Sequence, residues 1–233
     1  MTELYGGIDP RDIPTYSISD AARYLHIPAV TIRSWAVGRH YAITKGSNFF
    51  KPLIPIRHLK PRLLSFTNLI EVHVLRAIRK HHEIDLGKVR DALDFIEQQF
   101  QVSHPLAGER FRTDGVDLFI ERYGSLVNAS KRGQTEMKDA LNAHLQRIEP
   151  DDTGLAIKLY PFTRSHEEDN PRFVVMDSRI AFGRLVIAGT GIATRVLAER
   201  YQAGDSIDYL AHDYNCDRLA VEEAIRCEKF VAA

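Results

Sequence analysis

The stretch from Ser17 to Trp35 constrains the fold more than any other part of the sequence, because it predicts two short helices joined by a tight turn. Ser17 or Ser19 can cap the first helix by accepting a hydrogen bond from an otherwise unpaired backbone N–H. His26 lies where such a turn needs a left-handed residue, a conformation that histidine adopts more readily than most residues do. Pro28 can open the second helix, since a first helical turn does not need its missing N–H.

The second predicted helix has one face for the core and one for a partner. Ile32 and Trp35 recur at three-residue spacing, which predicts that both side chains point inward. The opposite face has the arrangement of a recognition helix, which places its outer side chains in the major groove of DNA. The predicted DNA-binding residues of this part of the chain are Ser17, Ala29, Val30, Thr31 and Arg33.

The charge of the chain is unevenly distributed, although its formal net charge is zero. Between Val30 and Lys80 there are ten lysines and arginines and one acidic residue, Glu71. A basic segment within a neutral chain is typical of a surface that binds nucleic acid. Residues 38–52 predict a β-hairpin wing, whose cations would lie along the phosphate backbone and fix the register. The predicted wing cations are Arg39, Lys45 and Lys51.

The periodicity of apolar residues along the chain predicts an α+β fold that is mostly helical. A lead-in is followed by a winged helix-turn-helix, a small central region that contains β-structure, and a C-terminal trihelical module with the spacing of a helix-turn-helix. The predicted boundaries are residues 1–15 for the lead-in, 16–103 for the DNA-binding domain, 104–165 for the mixed α/β region and 166–233 for the C-terminal module.

The middle of the chain contains patterns of two different periods. Alternating apolar and polar residues from Arg110 to Val127, around two glycine turns, predict small strands. Met137, Leu141 and Leu145 recur at four-residue steps and predict a helix. Asp85 to Phe100 predicts an amphipathic helix whose apolar stripe suits either packing within one chain or dimerisation.

The C-terminal part predicts three short helices after an extended segment. The candidate helix caps, in chain order, are Thr190 or Thr194, Ser206, and Asn215 or Asp217. From Glu199 to Lys229 there are eight acidic residues and four basic ones, a balance that phosphate would repel. We therefore expect this module to bind protein or to dimerise rather than to form a second DNA-binding surface.

No part of the sequence predicts a catalytic site, and we expect a protein that is not an enzyme and uses no cofactor. Of the ten histidines, His81 and His82 are adjacent at a basic helix end and the others are scattered. The carboxylates of Asp91 and Asp94 lie among basic neighbours on a solvated helix face. The run Ala188-Gly189-Thr190-Gly191 lacks the spacing and the lysine of a phosphate-binding loop. Two cysteines without a further Cys or His pair at ligand spacing predict reduced thiols and no zinc site. We expect a cytoplasmic protein, and no apolar run is long enough to cross a membrane.

The run Leu25-His26-Ile27-Pro28-Ala29-Val30-Thr31-Ile32-Arg33-Ser34-Trp35 resembles the turn and the start of the recognition helix in MerR-type regulators. That pattern is approximately Leu-Gly-Val-Ser-Pro-x-Thr-Leu-Arg-x-Trp. Pro28 therefore replaces a capping serine, and Val30 stands where a basic residue is common. Thr31 and Arg33 match the pattern, and the resemblance implies that they contact DNA bases or backbone.

Residues 174–226 resemble a small bacterial antitoxin module that is typically encoded beside a PIN-like ribonuclease toxin. The resemblance is carried by an arginine-isoleucine strand at Arg179-Ile180, by the turn Ile187-Ala188-Gly189-Thr190 and by the helices that follow. As a whole the chain is similar to VapB-type antitoxins with an added N-terminal helix-turn-helix. The resemblance implies an antitoxin that binds a PIN-like, VapC-type toxin and represses its own operon by binding operator DNA.

A PIN-like nuclease uses carboxylates and a divalent metal ion, which indicates how such a module could inhibit it. An arginine of the antitoxin could pair with those carboxylates through two hydrogen bonds and block metal binding. The candidate toxin-binding residues are Arg179, Arg184 and Arg195.

Two other functions stay open from the sequence. One is a MerR-like transcriptional regulator that responds to a small molecule bound in the middle or C-terminal region. The other is a structural adaptor without DNA binding, in which the basic segment is simply a solvated surface. Both DNA-binding functions predict a homodimer, because the paired half-sites of an operator mirror two-fold symmetry.

Overall fold

A computed structural model describes residues 7–44, 46–54, 56, 58–79, 86–127, 129–164 and 171–229 of the chain. The fold is α+β and dominated by helices, as the sequence predicts. No helix in these ranges is long and apolar enough to cross a membrane. The helices are α1 (Ile18–Leu25), α2 (Ala29–Val37), α3 (Phe66–Arg79), α4 (Leu86–Phe100), α5 (Val116–Val127), α6 (Lys131–Leu145), α7 (Thr194–Gln202), α8 (Ile207–Asp213) and α9 (Arg218–Lys229). The strands are β1 (Tyr16–Ser17), β2 (Arg39–Ile43), β3 (Gly46–Phe50), β4 (His58–Leu59), β5 (Arg62–Leu64), β6 (Ile148–Pro150), β7 (Ala156–Leu159), β8 (Val174–Asp177) and β9 (Leu185–Ile187).

Contacts within the chain divide it into two compact units, and neither unit is one continuous stretch of sequence. Unit 1 contains residues 1–33, 57–66 and 158–233, and unit 2 contains residues 34–56 and 67–157. α1 and the first half of α2 belong to unit 1, whereas the hairpin β2–β3 belongs to unit 2. The four domains predicted from the sequence are consecutive segments, so they are not the same divisions as these two units. The predicted domain boundaries stay a prediction.

Unit 1 combines small antiparallel sheets with helices α1, α7, α8 and α9. One sheet has the strand order β1–β5–β4 and places Tyr16 opposite Leu64. In the other sheet β8 lies between β7 and β9, and Val175 stands opposite Val186. α9 packs against α7 and against the β8–β9 pair, and Leu197 is fully buried there. Burial of such apolar side chains is the main term that stabilises a unit of this kind.

Unit 2 is built around helices α3 to α6 and also carries the hairpin β2–β3. α5 packs against α4 and α6, and the rings of Phe111 and Phe119 meet edge to face with centroids 6.2 Å apart. Val89 and Ile96 on the inner face of α4 are fully buried. The apolar stripe of α4 therefore packs within one chain, which is one of the two roles that its spacing predicts.

The small strands predicted between residues 110 and 127 are wrong, because this segment is helical. Phe111–Gly115 forms a π-helical turn that runs directly into α5. The glycines that suggested turns instead allow close packing inside the helical run. A Cβ atom on Gly115 would lie 2.8 Å from the Phe111 ring, and one on Gly124 would lie 2.8 Å from the side-chain amide of Gln134.

Three short helices form the C-terminal part, as predicted, and local side chains begin two of them. Ser206 caps α8 by accepting a hydrogen bond from the Tyr209 N–H at 3.1 Å. Asp217 precedes α9 and accepts a hydrogen bond from the Leu219 N–H at 2.7 Å. The threonine cap predicted for α7 is wrong, because Ala193 occupies that position and makes no side-chain cap.

Cys216 and Cys227 are both free thiols. Burial raises the pKa of Cys227 to about 12 and also raises the pKa of Cys216. Both thiols therefore stay protonated near neutral pH and lack the reactivity of a thiolate. Within the described ranges, no group of three or more His, Cys, Asp or Glu side chains is placed to hold a metal ion.

Candidate nucleic-acid interface and partner-binding arginines

Local hydrogen bonds build the helix-turn-helix. The Ser17 hydroxyl accepts a hydrogen bond from the Asp20 N–H at 3.0 Å, and the Asp20 carboxylate accepts one from the Ser17 N–H at 3.3 Å. This reciprocal capping box fixes the start of α1 and engages the Ser17 hydroxyl. His26 ends α1 in the left-handed region, at φ 52° and ψ 44°, as its place in the turn predicts. The Pro28 carbonyl then accepts the Ile32 N–H at 3.2 Å as α2 begins.

α2 separates a buried face from an exposed one. Ile32 and Trp35 have only 0% and 1% of their surfaces exposed, so their predicted inward orientation is confirmed. On the other side Val30 is 74% exposed, and Arg33 is exposed as well. The two remaining predicted residues of this helix, Ala29 and Thr31, are half-buried. α2 therefore presents one apolar side chain and one cation outward.

The predicted wing is present as the antiparallel hairpin β2–β3, in which Arg39 stands opposite Phe50. Gly38 connects α2 to this hairpin with a φ of +83°, and a Cβ atom there would collide with the Phe50 carbonyl. Glycine is therefore required at this connection. Arg39 and Lys51 are exposed at the base of the hairpin. Lys45, the third predicted wing cation, lies outside the described residues.

Arg90 on α4 supports the base of the wing, a role that the sequence analysis missed. Its guanidinium donates hydrogen bonds to the carbonyls of Lys51 and Pro52, the latter at 2.8 Å. It also lies over the Phe50 ring, 5.0 Å from the centroid. These partners are about forty residues away in sequence, so helical periodicity around Arg90 indicates only a solvated face.

The predicted DNA-binding cations that the structure describes have no internal partner among the described residues. Arg33, Arg39 and Lys51 have no ion pair and no side-chain hydrogen bond to any other residue that the structure describes. The arginines of the C-terminal helices behave differently. Arg200 pairs with Asp205 at 2.7 Å, and Arg218 pairs with Asp208 at 2.8 Å. The C-terminal cations are thus largely occupied internally, which agrees with the acidic balance of that part of the sequence.

The three arginines predicted to bind a toxin differ in their hydrogen bonds and ion pairs within the chain. Arg179 makes two hydrogen bonds to the buried carboxylate of Asp177, at 3.1 and 2.9 Å. Arg195 pairs with Glu199 on the next turn of α7 at 2.6 Å, and this contact raises the pKa of the guanidinium. The exposed Arg184 makes no ion pair and no side-chain hydrogen bond within the described ranges.

Arg184 and Arg195 line one cleft of unit 1, and Arg179 does not belong to it. Each acidic residue of the cleft has an arginine partner: Asp20 and Glu228 pair with Arg23, and Glu199 pairs with Arg195. Burial raises the pKa of the Tyr24 hydroxyl, which also lines the cleft and stays protonated. As far as the described residues extend, Arg184 is therefore the unpaired cation of this cleft.

Two family models define the class of protein that this arrangement resembles. Residues 14–93 match a family described as "Putative DNA-binding HTH domain". That match contains α1, α2, the wing and α3, and it ends within α4. Residues 174–226, from β8 into α9, match a family described as "Protein of unknown function (DUF433)". The N-terminal part of the chain is thus similar to a helix-turn-helix family whose description names DNA binding.

Over most of its length the chain is similar to a Mycobacterium tuberculosis (strain ATCC 25618 / H37Rv) protein named "Putative antitoxin VapB45". The two are 28% identical over 92% of this chain and 93% of that protein. The crystal structure of Rv2018 from Mycobacterium tuberculosis has a similar fold, with a TM-score of 0.65 at 22% identity over 91% of this chain and 98% of that one. The name of the first relative agrees with the resemblance to VapB-type antitoxins that the motifs carry.

Proposed function

We propose that this chain is the antitoxin of a type II toxin–antitoxin pair. In this role it represses its own operon by binding operator DNA, and it neutralises a PIN-like, VapC-type ribonuclease by direct binding. The observation that carries the DNA-binding part is the outward face of α2, where Val30 and Arg33 project while Ile32 and Trp35 are buried. The name of the mycobacterial relative supports the antitoxin part.

Each exposed side chain among the predicted DNA-binding residues has a chemical role in this proposal. Arg33 projects from α2, where a guanidinium can donate two hydrogen bonds to a guanine or pair with a phosphate. Val30 offers an apolar contact for the methyl group of a thymine. Arg39 and Lys51 would pair with phosphates, which adds affinity without reading sequence. A homodimer would place two copies of α2 on the paired half-sites of an operator.

A gel shift on the DNA upstream of the chain's own gene tests the DNA-binding part. We expect Arg33→Ala to weaken binding about 10-fold or more, since a good base contact contributes about 1–3 kcal/mol. Arg132→Ala is the matched control, because its side chain is 90% exposed on α6 and pairs with Glu136. The control should bind nearly as well as the unaltered chain.

The salt dependence of the same binding separates base contacts from phosphate contacts. Lys51→Ala should lower the slope of log affinity against log salt by about one, because one fewer counterion is released. Operator DNA that the unaltered chain fails to shift even at low salt would contradict the DNA-binding part. Equal losses for Arg33→Ala and Arg132→Ala would exclude α2 as the recognition helix.

The toxin-neutralising part is tested with the product of the gene adjoining that of this chain. We expect the two proteins to purify together and the chain to inhibit ribonuclease activity of that product. Alanine substitution of Arg179, Arg184 and Arg195, one at a time, then tests the arginine hypothesis, and unchanged inhibition by all three variants would remove it. A neighbouring product that neither binds the chain nor cleaves RNA would favour the MerR-like regulator instead.

A further inference from the structure

Between β8 and β9 the chain turns through three consecutive left-handed residues. Ala181, Phe182 and Gly183 have φ values of 49°, 56° and 74°. Glycine adopts this region without strain, but a residue with a Cβ atom does not. Strained backbone of this kind persists only where the surrounding structure holds it, and it is concentrated at functional sites.

Hydrogen bonds hold this turn in one conformation. The hydroxyl of the buried Tyr16 donates to the Gly183 carbonyl at 2.8 Å. The Gly183 N–H donates to the Ile180 carbonyl at 2.9 Å, and the Ile180 N–H donates to the Asp177 carbonyl at 3.0 Å. The turn is thus ordered before any partner arrives, which lowers the entropy that binding would cost.

The turn holds an aromatic ring in solvent. Phe182 is 66% exposed, more than any other aromatic side chain that the structure describes, and Ile180 is 39% exposed. Arg184 follows directly and is exposed without an internal ion pair in the described ranges. Aromatic residues, phenylalanine among them, and arginine are enriched at protein–protein interfaces relative to the rest of the surface.

We propose that this chain binds its protein partner through the segment Ile180–Arg184, called here the docking turn. Phe182 inserts into an apolar pocket of the partner, and Arg184 pairs with a carboxylate on the rim of that pocket. The inference rests on the proposed function, which supplies a partner with a carboxylate-rich site. It identifies the side chains that supply the affinity, and it adds an apolar anchor to the arginine contact.

An exposed ring beside a cation that is unpaired within the described ranges favours a protein as the occupant, because a protein can supply both an apolar pocket and a carboxylate. The acidic side chains of the cleft next to Arg184 are already paired with Arg23 or Arg195. A partner carboxylate would therefore meet a cation whose charge is still available.

Phe182→Gly tests the proposal, because it removes the ring and relieves the backbone strain in one change. We expect the full-length variant to keep or raise its melting temperature. Its dissociation constant for the purified product of the adjoining gene, measured by titration calorimetry, should rise about 30-fold or more. Leu219→Ala is the control, since Leu219 is 53% exposed on α9 and lies outside the docking turn. It should leave that dissociation constant within about 2-fold, as is usual for contacts outside a hot spot.

Arg184→Ala provides a second readout that a merely structural role would not change. It should weaken partner binding and flatten the dependence of the dissociation constant on salt, whereas Phe182→Gly should keep that dependence. Partner binding that survives Phe182→Gly, or that Leu219→Ala weakens equally, overturns this inference alone. A loss of operator affinity in Phe182→Gly would assign the turn to DNA and overturn it as well. If the unaltered chain does not bind the product at all, the toxin-neutralising part of the proposed function fails together with it.

Discussion

Gly183 and Gly189 share a left-handed backbone, with φ values of 74° and 77°, but their surroundings differ. A Cβ atom on Gly183 would collide with the Tyr16 hydroxyl, whereas nothing lies within 4 Å of a Cβ atom on Gly189. The pair therefore separates the energy of an unfavourable backbone conformation from the energy of a steric collision.

We expect Gly183→Ala to lower the free energy of unfolding by about 2–4 kcal/mol, because strain and overpacking add. Gly189→Ala carries the backbone strain alone and should lower it by about 1–2 kcal/mol. Urea denaturation of the two variants beside the unaltered chain measures both values. Equal losses would show that the Tyr16 contact does not restrict the docking turn.

At the scale of elements, the wing depends on a side chain from a distant helix. Arg90 bridges α4 to the end of β3 through two backbone carbonyls and the Phe50 ring. Arg122 on α5 makes a similar ring contact, since its guanidinium lies 5.1 Å from the centroid of Phe95. Its side chain makes no hydrogen bond to a carbonyl of the residues that the structure describes. The two arginines therefore form a matched pair within unit 2.

We expect Arg90→Ala to increase hydrogen exchange of the β2–β3 amides, because the hairpin loses its support at the base. Loss of two hydrogen bonds should also cost about 1–3 kcal/mol of local stability. Arg122→Ala should leave exchange in the hairpin unchanged. Exchange rates that are the same in both variants would contradict a supporting role for Arg90.

Local chemistry determined which elements the sequence predicts correctly. The helix-turn-helix follows from neighbouring residues alone, since the Ser17 cap and the left-handed His26 lie within ten positions of each other. Strands were wrongly predicted where α5 lies because glycine is typical of turns. Gly115 and Gly124 instead allow other side chains to pack closely against the helix. Packing partners of that kind come from other elements, so local periodicity does not contain them.

The residues of the candidate sites also differ in whether neighbouring sequence can predict them. Arg33 could be assigned to the outer face of α2 from helical spacing, and the structure shows it exposed without an internal pair among the described residues. The docking turn could not be found, because the Tyr16–Gly183 hydrogen bond joins residues that are 167 positions apart. The distinction between Arg184 and the paired Arg179 likewise depends on side-chain contacts that the sequence does not show.

At the scale of the whole chain, a net charge of zero conceals two parts with different electrostatic properties. The described cations of α2 and the wing are unpaired, whereas Arg200 and Arg218 in the C-terminal helices are held by carboxylates. Unpaired cations attract phosphate over a distance of about 8 Å at physiological salt, and paired ones do so weakly. This distribution suits a chain that meets DNA with one part and protein with the other.

One buried histidine makes the stability of the chain depend on pH. His73 in α3 is 1% exposed, and its Nε2 lies 3.1 Å from the His144 carbonyl, to which it donates a hydrogen bond. Burial, followed by the neighbouring His144 ring, holds the pKa of His73 well below its ordinary value, and the charges of Arg76 and Arg147 act in the same direction. The folded chain therefore keeps this ring neutral at pH values where the unfolded chain protonates it.

Acid lowers the stability of the folded chain, because His73 binds a proton more readily in the unfolded chain than in the folded one. In the unfolded chain His73 has a pKa of about 6.5, so below that pH the proton favours unfolding. Between pH 7.5 and pH 5.5 we expect His73 to lower the free energy of unfolding by about 1.4 kcal/mol, measured by urea denaturation at both values. His73→Gln should reduce the drop by that amount, whatever its own stability. Leu219→Ala, which changes an exposed side chain that does not titrate, should leave the drop unchanged. A drop of the same size in His73→Gln and in the unaltered chain would mean that another buried group binds the proton.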